Sequence, residues 1–263
     1  MKKTITLLTV LSLLLSLLAI SASAQSEAVT HVFVTVAVKG ELVATQAQVE
    51  VTDVDDDGAL TVNDALYAVH KKLYEGGADA GYGYYQSEYG LSMSKLWGDE
   101  SGMYGYYLNN ASCMSLADPI KNDDHIVAFV YKNADWSDIY CYFEGDDYGF
   151  YGEPITLTLT AAGYDENWNP ITYPVEGATI TVDGQPIDLV TDAQGKFTLI
   201  PEDGQAKLLS ATSDTVTLVP PALYFYTIHR EDSTPRGVCK STIGIPLIAL
   251  IPLACLCIKR KEK

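Results

Sequence analysis

The stretch Asp53-Val54-Asp55-Asp56-Asp57-Gly58-Ala59-Leu60-Thr61-Val62-Asn63-Asp64 concentrates the chemistry of this chain. Aspartate fills positions 53, 55, 56 and 57, and such close like charges repel unless a cation sits among them. Counted as a twelve-residue loop, it places oxygen donors at positions 1, 3, 5, 9 and 12 and a glycine at position 6. That spacing suits Ca2+, a hard cation that takes roughly six to eight oxygens. Asp53, Asp55 and Asp57 would supply carboxylates, Ala59 its carbonyl, Thr61 a direct or water-mediated contact and Asp64 the closing carboxylate. Gly58 permits the sharp turn, and Leu60 can pack inward while its neighbours face the ion. The same residues also read as an acidic turn running into a capping box, Thr61-x-x-Asp64, which needs no metal.

The loop resembles a single EF-hand or dockerin-type calcium loop, with Asp64 where an EF-hand sensor has a bidentate Glu. Dockerins pair two such loops; this sequence has one, so a cohesin partner is not expected. The ion's implied role is structural, fixing a strand-to-helix corner.

Other chemistry is not expected. His31, His70, His125 and His229 stand apart without metal-ligand spacing, each reading as a surface or strand residue. Cys113 and Cys141 read either as thiols or as a disulfide, with Cys239, Cys255 and Cys257 further on. No nucleophile elbow or phosphate loop is present, so the chain reads as a non-enzyme. The net charge is −17, and six of the 17 basic residues lie in the two ends against one of the 34 acids. So acidic an interior excludes nucleic acid as partner and favours cations.

Two segments must position the acidic loop. Residues 28–144 mix strands with one helix: His31 to Val38 and Leu42 to Val51 alternate as strands, and Lys39-Gly40 turns between them. Val62 to Tyr74 reads as a helix with Leu66, Val69 and Leu73 on one face, ended by Gly76-Gly77. Strands are predicted at Tyr104 to Leu108, Ile126 to Tyr131 and Ile139 to Phe143, an α+β pattern. Of the 18 tyrosines, 14 fall between residues 67 and 151. Tyr82, Tyr84, Tyr85, Tyr104, Tyr106 and Trp97 read as a platform for a sugar or peptide, or as strand residues alternating between core and surface.

Tyr89-Gly90-Leu91, Leu96-Trp97-Gly98, Tyr104-Gly105-Tyr106-Tyr107-Leu108-Asn109 and Asp123-Asp124-His125-Ile126 resemble pieces of the transcobalamin-like C-terminal domain. The resemblance implies a β-grasp-like α+β module over about 115 residues. The α/α barrel that holds a corrinoid in the vitamin B12 carriers is absent, so no ligand residue is carried over.

Residues 154–228 read as an all-β sandwich, with alternating strands at Ile155 to Leu159 and Ala178 to Val182 and a hairpin turn at Asp183-Gly184. Thr191-Asp192-Ala193-Gln194-Gly195 resembles bacterial immunoglobulin-like or carboxypeptidase-regulatory-like domains, which implies a spacer.

The ends bear on location. Residues 1–24 read as a signal peptide cut after Ala24. After a linker over 229–241, the apolar run 242–258 with its basic tail 259–263 reads as a C-terminal transmembrane helix under the positive-inside rule. The arrangement resembles Gram-positive surface proteins, although Asp232-Ser233-Thr234-Pro235-Arg236-Gly237 departs from a sortase signal. The sequence therefore predicts an α+β, β-grasp-like module followed by an immunoglobulin-like sandwich, anchored on the extracellular face of a membrane. It would bind calcium and an unidentified extracellular small molecule, glycan or protein, or act as a structural or adhesive stalk.

Overall fold

The computed structural model describes residues 29–202, 204 and 206–230. Those up to Ile228 belong to one compact unit. Strands account for 50% and helices for 8%, which corrects the expected α+β class: the molecule is mostly β. The weight shifts because the tyrosine-rich stretch from Tyr82 to Ser112, whose aromatic residues suit a pleated half-buried surface, forms four strands.

The first sheet is built on a hairpin of β1 (Thr30–Val38) and β2 (Glu41–Val51). Beside β1 runs the parallel strand β7 (His125–Val130). β5 (Tyr104–Leu108) and β6 (Ala111–Ser112) complete the order β2-β1-β7-β5-β6. One helix, α1 (Val62–Leu73), packs against this sheet. Val62, Ala65, Leu66 and Val69 recur at i, i+3, i+4 and i+7 and are fully buried against Val32, Val34, Ile126 and Ala128. Leu73, expected on that face, is 45% exposed, because the chain turns extended at Tyr74 before the next helical turn can form. A single turn, α2 (Ala78–Gly81), leads into a separate hairpin of β3 (Tyr82–Ser87) and β4 (Gly90–Leu96).

The second half fits an immunoglobulin-like sandwich. One sheet has β10 (Ile155–Tyr164) between β11 (Pro170–Pro174) and β8 (Ile139–Glu144). β16 (Leu218–Val219) extends it beyond β8, and β14 (Lys196–Leu199) also pairs with β10. The facing sheet contains β13 (Gln185–Val190), β12 (Thr179–Val182), β15 (Lys207–Thr212), β17 (Leu223–Ile228) and β9 (Tyr148–Phe150), in that order. Leu157, Leu159, Ile180, Leu209 and Phe225 meet between them. Asp183-Gly184 joins β12 to β13 with φ of 49° and 78°, the two positive angles a tight type I′ hairpin turn requires.

The strand expected at Ile139 to Phe143 is β8, and its partners are β10 and β16 of the sandwich. The two halves are joined through aromatic packing. The Tyr107 ring stacks on Tyr140 at 3.6 Å between centroids and 11° between planes. The Tyr140 hydroxyl donates to Asn110 Oδ1 at 2.8 Å, and buried Phe129, Ala37 and Val219 pack around it. The Tyr224 N–H donates to Gln46 Oε1 at 3.0 Å, another tie between halves.

The anticipated membrane anchor is likewise corrected: among the described residues no helix is long and apolar enough to cross a membrane. The longest has twelve residues, where a span needs about 20. Residues 242–258, on which the anchor was read, and the leader at 1–24 lie outside the described residues. Location on the extracellular face of a membrane therefore has no structural support.

Candidate functional site: an acidic strand-to-helix loop

β2 ends at Val51 and α1 begins at Val62, so the acidic loop spans one corner of the first sheet. One oxygen each from Asp53, Asp55 and Asp57 lies within 4.8 Å of the others. Backbone groups shape this cluster. Asp53 accepts the N–H of Gly58 at 2.8 Å and of Asp57 at 3.3 Å, and the Gly58 bond is the main cause that holds its carboxyl below the ordinary range. Asp57 accepts the N–H of Ala59 at 2.8 Å. Gly58 has φ of 85° with open space beside its Cα, so its conformation, and no shortage of room, requires glycine.

Asp55 is the strained member. Its Oδ2 accepts from Asn63 Nδ2 at 3.1 Å, but Oδ1 is shut away from solvent with no hydrogen-bond partner. Burial, followed by the charges of Asp57, Asp64 and Asp53, pushes its carboxyl above the ordinary range. A carboxylate oxygen in that position has lost its water without gaining a donor, which is costly.

The rest of the expected donor set is placed differently. Asp64 is fully buried; its Oδ1 accepts the N–H of Val54 at 2.9 Å, and its Oδ2 accepts the N–H and the hydroxyl of Thr61, both at 2.8 Å. These bonds close the capping box at the start of α1, with Thr61 only 2% exposed. Asp64 and Thr61 thus hold the helix start, while Ala59 lies exposed at the loop surface.

Sequence reasoning missed what lies beneath the loop. Asn63, fully buried, bridges Asp55 to the core by accepting the Tyr82 hydroxyl at 2.9 Å on its Oδ1. The Tyr82 ring stacks on His70 at 5.0 Å and 28°. His70, read as a surface or strand residue, is a fully buried helix residue. Its Nε2 accepts the Trp97 N–H at 3.1 Å, which leaves the proton on Nδ1, donated to the Leu66 carbonyl at 2.6 Å. Burial lowers its pKa to about 4, so the ring is neutral at pH 7. The signal was present: Asn63, Leu66 and His70 recur at i, i+3 and i+7 on the buried side of α1.

The tyrosines divide between roles. Tyr82 is buried, Trp97, Tyr104 and Tyr106 pack against the first core, and Tyr84, Tyr85 and Tyr89 are exposed on the β3–β4 hairpin. Asn109 and Asp124, from the two motifs behind the transcobalamin resemblance, meet directly, Asn109 Nδ2 donating to Asp124 Oδ1 at 2.9 Å. Cys113 and Cys141 are both free thiols. Comparison with known proteins adds no relative: no family model matches the chain, and no curated protein or solved structure is similar to it.

Proposed function

We propose that this chain is a binding protein without catalytic activity, whose strand-to-helix loop holds a calcium ion as a structural brace. The observation that carries this reading is Asp55 Oδ1, a buried and unpartnered carboxylate oxygen beside the carboxylates of Asp53 and Asp57. Asp53, Asp55 and Asp57 would hold the ion, with the Ala59 carbonyl and water completing an all-oxygen set. Asp64 and Thr61 would fix the helix start against which the loop is folded. The ion supplies positive charge that relieves the repulsion at Asp55. The Asn63–Tyr82 bonds then tie the braced loop to the root of the β3–β4 hairpin.

The nucleophile and base candidates fit a non-catalytic role. Burial pushes the Cys113 thiol up to about 12 and raises Cys141 as well, so neither is a thiolate at neutral pH. Both ring nitrogens of His70 are engaged.

A thermal melt of the full chain with calcium and then with chelator tests the proposal. At calcium 100-fold above the dissociation constant, one site adds about 2.7 kcal/mol, a rise of roughly 5–10 °C. Asp55→Asn should abolish that rise and should melt no lower than the parent in chelator, because the amide removes one repelling charge. A parent chain indifferent to calcium, or an equal rise in the variant, would leave only the capped acidic turn.

A further inference from the structure

A second site is marked by aromatic residues that neither core needs. Trp168 sits at the tip of the β10–β11 hairpin, 81% exposed, with φ of 62°. That left-handed angle is costly for a bulky residue, by about 1 kcal/mol or more, and the tip is built to hold it. Asp165 accepts the N–H groups of Asn167 and Asn169, both at 2.8 Å, and its carbonyl accepts the Trp168 N–H at 3.0 Å. A large apolar ring held out in water by a strained turn adds nothing to folding. The Tyr164 ring, 42% exposed, lies 6.0 Å from it. A second exposed tryptophan, Trp136, is 52% exposed and also at positive φ, with its ring 5.1 Å from Tyr131.

Tyr164 also lines a cleft of about 520 Å³ between the β5–β6 and β10–β11 hairpins, within the common range of about 300–1,000 Å³ for ligand pockets. None of its eleven lining residues carries a charge, in a chain with 34 acids. Its polar side chains are amide and hydroxyl: Asn110, Ser112 and Thr172, with the phenols of Tyr107 and Tyr164. Asn110 spends its carbonyl oxygen on the Tyr140 hydroxyl, which orients the amide and leaves its NH2 group to donate.

The β11 backbone beside the cleft is a poor partner for a peptide strand. The bonds Asp165 N–H to Asn169 O and Val175 N–H to Leu159 O set the phase of the β10–β11 ladder. Residues 170, 172 and 174 therefore turn their backbone outward. Two of these are Pro170 and Pro174, so Thr172 offers the single outward N–H of this free edge.

We infer that this cleft and its flanking Trp168 and Tyr164 bind a neutral saccharide chain. A sugar ring carries an apolar C–H face that lies against an aromatic ring, and a rim of hydroxyls that exchange hydrogen bonds with amides and hydroxyls. It needs neither an ion pair nor a backbone ladder. Asp165 and Glu166 at the hairpin tip would repel a polyanion.

The test is native affinity electrophoresis of the full chain in gels with hydroxyethylcellulose, xyloglucan, galactomannan or dextran, and in pectate as the anionic control. Each gel is run in calcium and in chelator, so that failure of the cation site is told apart from failure of this one. At least one neutral polymer should retard the parent, and Trp168→Ala, which removes no core contact, should weaken that retardation by about tenfold or more. Tyr164→Ala gives a second reading on the cleft itself. No retardation by any neutral polymer, stronger retardation by pectate, or unchanged retardation in both variants overturns the proposal. Sedimentation of the same samples covers the remaining occupant: a parent dimer that Trp168→Ala dissociates would assign the face to a second copy of the chain and overturn it too.

Discussion

His70 shows how one buried side chain sets a pH limit on the molecule. Its imidazole has an ordinary pKa of 6.5 in the unfolded chain and one of about 4 in the folded state. The unfolded chain therefore takes up the extra proton first as pH falls, and stability is lost between about pH 6.5 and pH 4. The whole loss is about 3 kcal/mol, and above the upper limit this residue contributes no slope. Urea titrations at pH 7, 5.5 and 4.5 should show that decline, and His70→Phe should flatten it while lowering stability at pH 7, since the Trp97 N–H loses its acceptor. An undiminished slope in the variant would rule His70 out as its source. At this scale the sequence was legible where a residue type and its spacing announce themselves: Asp53, Asp55 and Asp57 are drawn together in one loop, and Gly58 takes the positive φ of its turn. It was not legible for Asn63 and Tyr82, because the bond between them joins residues 19 apart through a fold that periodicity does not encode. Nor does any pattern announce that all three tryptophans, Trp97, Trp136 and Trp168, sit at positive φ.

Among the elements, those governed by local rules were read from the residues. The helix starts at its capping box and buries a face at helical spacing, and Asp183-Gly184 makes its hairpin turn. The class was misread because one twelve-residue helix carries a strong periodic signal, whereas short strands such as β6 and β16, of two residues each, carry almost none. The edge strand β11 shows a local rule with a long-range effect. Its two prolines keep the outward side of the sheet short of donors, which blocks edge-to-edge pairing. Replacing Pro170 and Pro174 with threonine would restore two outward N–H groups beside that of Thr172. The doubly substituted chain should self-associate at lower concentration than the parent in sedimentation velocity. Identical sedimentation of the two would mean that the prolines do not guard this edge.

At the scale of the whole molecule, the tyrosine stack at the junction makes two β layers behave as one body. Tyr140 is 3% exposed, stacked on Tyr107 and hydrogen-bonded to Asn110. Tyr140→Ala should cost about 3 kcal/mol or more, as for other buried aromatic truncations, and should split a single melting transition into two. A parent that already melts in two steps in calorimetry would show that the junction does not couple the halves. The sequence could not reveal this coupling, because it depends on β8 leaving the first sheet's run of strands to pair with β10 and β16. That pairing also sets an order of events during synthesis. β8 emerges from the ribosome right after β7, yet one of its neighbours, Leu218-Val219, is made almost eighty residues later. Until then the strand has an open edge and Tyr140 lacks the cover of Val219. The nascent chain thus carries its own unfinished seam while the whole run of strands from β9 to β15 is made, and only the late strand β16 closes it.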